Sequence, residues 1–313
     1  MSELPFTGER FTPECQREIW YEHYHRYAFA RALAAGRSVA DVACGEGYGA
    51  ALLAAGGAER VVGVDIDSLS IAHARQRYAG IGNLRFECAD ATRLPFADAS
   101  FDLLTSFETI EHLQPQAELI AEFARVLKPD GLLVLSSPDK HAYSEARDYH
   151  NEFHVRELYR EELLALLAPD FPALRLYGQK LLFQSLIWAL DRPLGKANVH
   201  TLRSSTKALQ DAPDYTPLYF IAVSAKRAAA LPETCTLDLF GDAEESVYRH
   251  YESEIRRNMQ AGAVLAEREA ELERERSAHD LTRAQLAAAR ALSGQVGKPA
   301  GLSRWWRAWF PKQ

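Results

Sequence analysis

Residues 39–53, VADVACGEGYGAALL, decide the fold. A short run containing two valines, 39–42, enters a turn carrying Gly45, Gly47 and Gly49, and the alanine- and leucine-rich residues that follow read as a helix. Glycines at alternate positions let the backbone bend sharply and approach a ligand closely, because no Cβ stands in the way. The helix aims its first N–H groups at the same place. Tight strand-to-helix packing accounts for such a turn equally well, so the turn alone leaves both readings open.

Three acidic residues extend the pattern outward. Asp41 precedes the turn, whose glycine spacing is GxGxG and not the GxGxxG of a dinucleotide fingerprint. A second strand, 61–66, carries Asp65 near its end, where a carboxylate suits the two hydroxyls of a ribose. A third, 84–88, is followed by Asp90, which can accept from an adenine amino group.

With these residues the chain resembles a class I S-adenosylmethionine-dependent methyltransferase. The resemblance continues through residues 101–112 (FDLLTSFETIEH) and 125–135 (RVLKPDGLLVL), and so covers most of the first 140 residues. It implies a doubly wound, seven-stranded, Rossmann-like α/β sheet. It also implies S-adenosylmethionine as cofactor and S-adenosylhomocysteine as product. The glycine turn would hold the amino-acid part, Asp65 the ribose and Asp90 the adenine. The full set of expected cofactor residues is Asp41, Ala43, Gly45, Gly47, Gly49, Asp65, Ile66, Asp90, Ala91 and Phe107.

Composition sets limits on the rest. The chain has 313 residues, long for one core, so an ordinary domain plus an extension is expected. A net charge of -7 disfavours a surface that coats nucleic acid. Cys15, Cys44, Cys88 and Cys235 show no metal-ligand spacing, which fits a reducing compartment. The start, MSELPFTGER, lacks a basic region followed by an apolar one, and no apolar run approaches the ~20 residues that span a bilayer. A cytoplasmic protein is expected, peripheral at most at the inner face of the membrane.

In chain order, residues 1–228 form the expected catalytic domain. Its early part, with GERF and then EHYHRY, reads either as a solvated helix face or as a lid over the cofactor mouth. Strands are expected at 39–42, 61–66, 84–88, 101–106, 132–136, 174–178 and 219–225. An insertion, 180–217, contains LLFQSLIWAL and is expected to be a helical cap. Residues 229–242 read as a linker. Residues 243–293 read as a long helix in which Tyr251, Asn258, Leu265, Leu272, His279 and Leu286 recur every seventh position, the column a coiled coil needs. The second column is poor, so the helix is either paired with another copy or partner, or solitary. The end, 301–313 (GLSRWWRAWFPKQ), sets aromatics beside arginines, which suits a membrane interface or docking on a protein.

Methyl transfer to a hydroxyl needs close positioning and a route for the proton. Glu108, Glu111 and His112 follow the fourth strand, and His112, with Glu111 beside it, is the first candidate for general base. Capping of the next helix is the competing role for His112. In the order E-x-x-E-H these three also resemble a metal site of quinone-biosynthesis methyltransferases, although a metal is not favoured here. After the fifth strand, Asp139, Tyr143, His150 and Asn151 are expected to bind the acceptor, with His154 a further catalytic candidate.

The PDK-x-x-YS and NEFHVREL stretches are similar to those of methyltransferases from bacterial cell-surface polysaccharide pathways. That resemblance implies O-methylation of a sugar, or of a terminal phosphate, on a lipid-linked or cell-surface glycan. Two alternatives stay open: a small-molecule O-methyltransferase for quinones or phenols, and a non-catalytic scaffold that senses the cofactor.

Overall fold

A computed structural model describes residues 18–295 apart from 188, 192, 194, 196–197 and 204–207. The chain divides into two units, the first ending at Glu244 and the second beginning at Glu245. The expected tail at 301–313 and the GERF arm lie outside the described residues.

The first unit begins with helix α1 (Glu18–Ala34), followed by β1 (Ser38–Val42), α2 (Tyr48–Ala55), β2 (Arg60–Asp65), α3 (Ser68–Arg77) and β3 (Leu84–Cys88). Next come β4 (Phe101–Ser106), α4 (Gln116–Val126), β5 (Leu127–Pro138), the single turn α5 (Lys140–Tyr143) and α6 (Arg160–Leu167). It closes with β6 (Ala173–Gln179), the short strands β7 (Thr201–Arg203) and β8 (Ala208–Gln210), and β9 (Tyr219–Ala225). The main sheet has seven strands in the order β3-β2-β1-β4-β5-β9-β6. β9 runs antiparallel to both neighbours and the pairs β3-β2, β2-β1, β1-β4 and β4-β5 are parallel. This is the seven-stranded doubly wound sheet expected from the sequence.

Strand β1 is buried at every position, as a strand covered on both faces must be. Val39 belongs to one apolar cluster with Leu33, Leu53, Ile71 and Leu103; its neighbour Ala40 belongs to the other, with Leu104, Ile120, Phe123 and Leu133. The period-two alternation of a strand sends successive side chains into opposite layers. Helix α3 starts where the Asp67 side chain accepts from the backbone N–H groups of Leu69 and Ser70, at 3.2 and 3.1 Å.

Two expectations require correction. The described residues of 180–217 contain no helix; they form irregular chain and the β7-β8 ladder. Phe183, Leu186, Ile187 and Leu190 of the apolar run are exposed, so the expected helical cap is absent from the described residues: a continuous apolar stretch has no period that selects a helix. The stretch read as a linker, 229–242, packs on α1: the Phe240 ring lies 5.6 Å from those of Trp20 and His25, and Asp238 meets His25 at 3.0 Å.

The second unit is α7 (Ser246–Gln295), a 50-residue helix. Side-chain pairs such as Arg256 with Glu252 and Arg257 with Glu254 lie one turn apart along it. Among the described residues, no helix is long and apolar enough to cross a membrane.

Candidate functional site

The four parallel pairings bring the carboxyl ends of β1 to β5 to one edge of the sheet, where ligands of open α/β sheets bind. The turn after β1 is there. Gly47 has φ +92°, a left-handed conformation open to glycine, and it caps α2. Ala43 and Glu108, at the ends of β1 and β4, take φ values of 60° and 48° without being glycine. Such local strain persists where the surrounding structure fixes it, commonly at a binding edge.

Asp65 holds this turn from the side. One carboxylate oxygen accepts from the Gly45 N–H at 2.8 Å and the other from the Asp67 N–H at 2.9 Å. Glu46, which the sequence reading passed over, is 1% exposed and lies against Tyr78 (3.0 Å), His73 (3.2 Å) and Arg77 (3.1 Å) of the α3 region. Its carboxylate thus ties the middle of the glycine turn to the neighbouring helix. Its partners lie 27 to 32 residues away, so only folding reveals the role.

Asp41 lies fully buried behind the turn. It accepts from the Thr105 hydroxyl at 2.7 Å and from Tyr27 at 3.1 and 3.2 Å. Burial pushes its carboxyl up to about 7, against the pull of those hydrogen bonds. Tyr27 comes from α1, and its ring meets those of Tyr48 and Phe107 edge-on at 5.2 and 5.0 Å. Gly45 and Ala43 are half-buried at the mouth, Ile66 is 71% exposed, and Ala91 is half-buried. Asp90 is exposed, with one oxygen accepting from the N–H and hydroxyl of Thr92 at 2.8 Å each.

Beyond β4 and β5 lies a second group of polar residues. The backbone carbonyl of Glu111 accepts from Val155 and Arg156 at 2.8 and 3.0 Å, and the Gln116 amide donates to the carbonyls of Ile110 and Arg156 at 2.9 Å each. These bonds draw the loop after β5 against the turn after β4. His112 and His154 are thereby brought to 5.0 Å between rings, and His154 stacks on Tyr143 at 5.4 Å.

The protons of both histidines can be placed from their partners. Nδ1 of His112 donates to the Phe153 carbonyl at 3.1 Å, leaving Nε2 on the side of Glu111, 3.9 Å away. Asn151 is oriented by the Phe153 N–H, so its amide donates to Nε2 of His154 at 2.9 Å; Nδ1 of His154 then donates to Glu157 at 2.6 Å. The Glu111 carboxylate is fully buried and neither of its oxygens has a hydrogen-bond partner. Burial, and then the nearby Glu108, push its pKa well above the ordinary carboxyl range. Burial also raises the Tyr143 hydroxyl to about 12.

The structure divides the remaining expected residues. Potential ligand atoms of Glu111, His112 and His154 all lie within 4.8 Å of one another, so these three could hold a divalent metal. Glu108 faces elsewhere: its Oε1 accepts from the Ser136 hydroxyl at 2.7 Å and lies 3.5 Å from Arg26. Asp139 caps α5 by accepting from the His141 N–H and lines a cavity of about 430 Å³ with Tyr159, Tyr177 and Phe220, which none of the three cluster residues lines. His150 is exposed on the loop. Glu157 and Arg26 were not among the expected site residues.

The sheet order is the one expected from the sequence, and residues 40–135 match the family model described as a methyltransferase domain. The chain is 42% identical over 173 residues to a protein of Mycolicibacterium smegmatis named "Probable S-adenosylmethionine-dependent methyltransferase", covering 53% of this chain and 64% of that one. A Mycobacterium tuberculosis protein of the same description is 40% identical over 167 residues, covering 52% of this chain and 60% of its own. A demethylmenaquinone methyltransferase of Clavibacter sepedonicus is 43% identical over 113 residues, 35% of this chain and 45% of that one. The chain therefore spans less than two thirds of the length of these relatives.

Proposed function

We propose that the protein transfers a methyl group from S-adenosylmethionine to a hydroxyl of a sugar, on a lipid-linked or cell-surface glycan. The observation that carries this reading is the grouping of Glu111, His112, His154 and Tyr143 next to the edge that bears the glycine turn. A tight glycine turn whose Gly45 N–H is held by Asp65, at the carboxyl edge of the sheet, fits the cofactor. When bound, the cofactor supplies an electrophilic methyl group. The chain's own residues position the acceptor and receive its proton, which passes to Nε2 of His112, the ring nitrogen opposite the one that donates to the Phe153 carbonyl. Glu157 keeps the His154 ring oriented through its Nδ1 proton. Hydrogen-bonding side chains beside exposed rings, Tyr149 at 45% and Phe153 at 37%, suit a polyhydroxyl acceptor better than a flat apolar one.

A second reading, methylation of a quinone or phenol, draws on the likeness to the demethylmenaquinone enzyme. Both are tested together. Calorimetry is expected to show micromolar binding of S-adenosylmethionine and S-adenosylhomocysteine. An acceptor panel of lipid-linked saccharides, nucleotide sugars and quinols then decides between the readings, and turnover on quinols alone would overturn the sugar assignment. His154→Ala is expected to lower turnover by about 10²-fold or more, the usual worth of a positioned acid or base, with little change in S-adenosylhomocysteine affinity. Undiminished turnover would remove His154 from the machinery.

We further infer that α7 brings copies of the chain, or a partner helix, together through Tyr251, Leu265, Leu272 and Leu286, and that the aromatic-basic tail contacts a membrane surface. Removal of residues 243–313 is expected to reduce oligomer size in light scattering and retention on anionic vesicles while sparing cofactor affinity. Unchanged mass and retention would refute both assignments.

A further inference from the structure

The cavity of about 430 Å³ that Asp139 lines is apart from the Glu111–His112–His154 cluster, and its volume is that of a small-molecule site. Two of its lining residues are apolar and come from the sheet: Leu176 of β6 and Phe220 of β9 pack in the same layer as Leu163 of α6. The rest of the wall is polar, with Asp139, Tyr159, Arg160 and Glu161. Asp139 is 8% exposed, and its Oδ1 accepts from the His141 N–H at 3.2 Å. Burial outweighs its hydrogen bonds and raises its carboxyl pKa, so this carboxylate gains from further donors. Tyr159 is fixed twice: its hydroxyl donates to Glu145, and the Lys140 ammonium lies 4.7 Å from the ring centre. A side chain already held in place loses little freedom when a ligand meets it.

The charges of the wall select among ligands. Two carboxylates against one guanidinium disfavour a phosphate, and Arg160 disfavours a cation. A flat apolar ligand would strip water from Asp139 and return no hydrogen bond. A neutral ring bearing hydroxyls meets every demand: its O–H groups donate to Asp139 and Glu161, its oxygens accept from Arg160, and its C–H face covers apolar wall.

The cavity is also placed to serve the cluster. Asp139 leads into α5, a single turn that closes with the Tyr143 N–H donating to the Asp139 carbonyl at 2.7 Å. The far end of that turn sets Tyr143 against His154. Cavity wall and cluster are thus joined by one helical turn, about 5.4 Å of rise, a step that neighbouring units of one chain can bridge.

We propose that the cavity is a second saccharide subsite, which holds the sugar unit next to the one methylated; the assignment rests on the glycan reading above. The test is saturation-transfer NMR on the full chain with glucose, galactose, mannose, rhamnose and N-acetylglucosamine, repeated on Asp139→Asn, Arg160→Ala and His154→Ala. At least one sugar binds, and Asp139→Asn and Arg160→Ala each weaken it about 10-fold or more, the worth of a hydrogen bond to a charged group. His154→Ala, at the cluster, leaves that binding unchanged. Arg160 is exposed at the start of α6, so its removal spares the fold even where the loss of the Asp139 cap does not; thermal melts check both. In turnover on a saccharide acceptor, Arg160→Ala raises KM and leaves kcat. Sugar binding that Arg160→Ala leaves intact, or that His154→Ala removes, overturns the subsite while the glycan reading stands. Methylation of lipid-linked saccharides by a chain that binds none of the five sugars does the same. Absence of both sugar binding and saccharide methylation defeats the glycan reading and the subsite with it.

Discussion

Gly47→Val is expected to abolish S-adenosylmethionine binding and to lower the unfolding free energy by about 3–5 kcal/mol, the sum of a left-handed backbone forced on a β-branched residue and an overpacked core. The Cβ alone would stand 2.6 and 2.7 Å from the Phe86 ring and 3.0 Å from the Ala74 methyl. Phe86 is 5% exposed and Ala74 is fully buried, so neither can swing into solvent. The turn must move instead, toward the edge where the ligand binds. Gly57 is the control. Its φ is +90°, but a Cβ there meets nothing within 4 Å, so Gly57→Ala is expected to cost only about 1 kcal/mol of backbone strain and to spare binding. Calorimetry and thermal melts on both variants measure the contrast. Native affinity in Gly47→Val would show that the turn does not hold the cofactor.

The stability of the protein is expected to fall as pH rises from 5 to 8, opposite to the behaviour of a protein held by ion-paired carboxylates. Asp41 is pushed from 3.8 to about 7 and Glu22 from 4.5 to about 7, in each case mainly by burial. Both pKa values are higher in the folded chain than in the unfolded one. Their contribution is therefore fully present below about pH 4 and is lost as pH rises through 7, because the unfolded chain releases these protons first. Each group accounts for about 2–3 kcal/mol between pH 5 and pH 8. Asp102 and Glu122, whose pKa values are lowered by Lys128 and Arg125 among other contacts, change stability only on the acid side of this window. Urea denaturation at pH 5 and 8 measures the difference, and Asp41→Asn should remove one share of it. A profile that is flat or rises toward pH 8 would refute the assignment.

The two predictions sample different depths of the same edge. Gly47 was legible because its signal is local: strand, glycine turn and helix follow one another within fifteen residues. Asp65 was legible for the same reason, although its observed work, gripping the Gly45 and Asp67 N–H groups, is to shape the turn. The LLFQSLIWAL run misled because an apolar stretch reports that water is disfavoured and says nothing of what covers it. His112 and His154 were each visible as residues. Their meeting was not, since it depends on backbone bonds from Glu111 to Val155 and Arg156.

By itself, then, the sequence determined the seven strands of the main sheet, the glycine turn and the long terminal helix, since glycine freedom and hydrophobic period act over a few neighbouring residues. Only the tertiary structure decided that Arg26 is buried, that Glu46 anchors the turn, and that Glu157 orients His154 beside His112. The bond from Arg26 to Gln179 spans 153 positions. Such a contact is set by sheet order and helix packing, and no spacing along the chain encodes it.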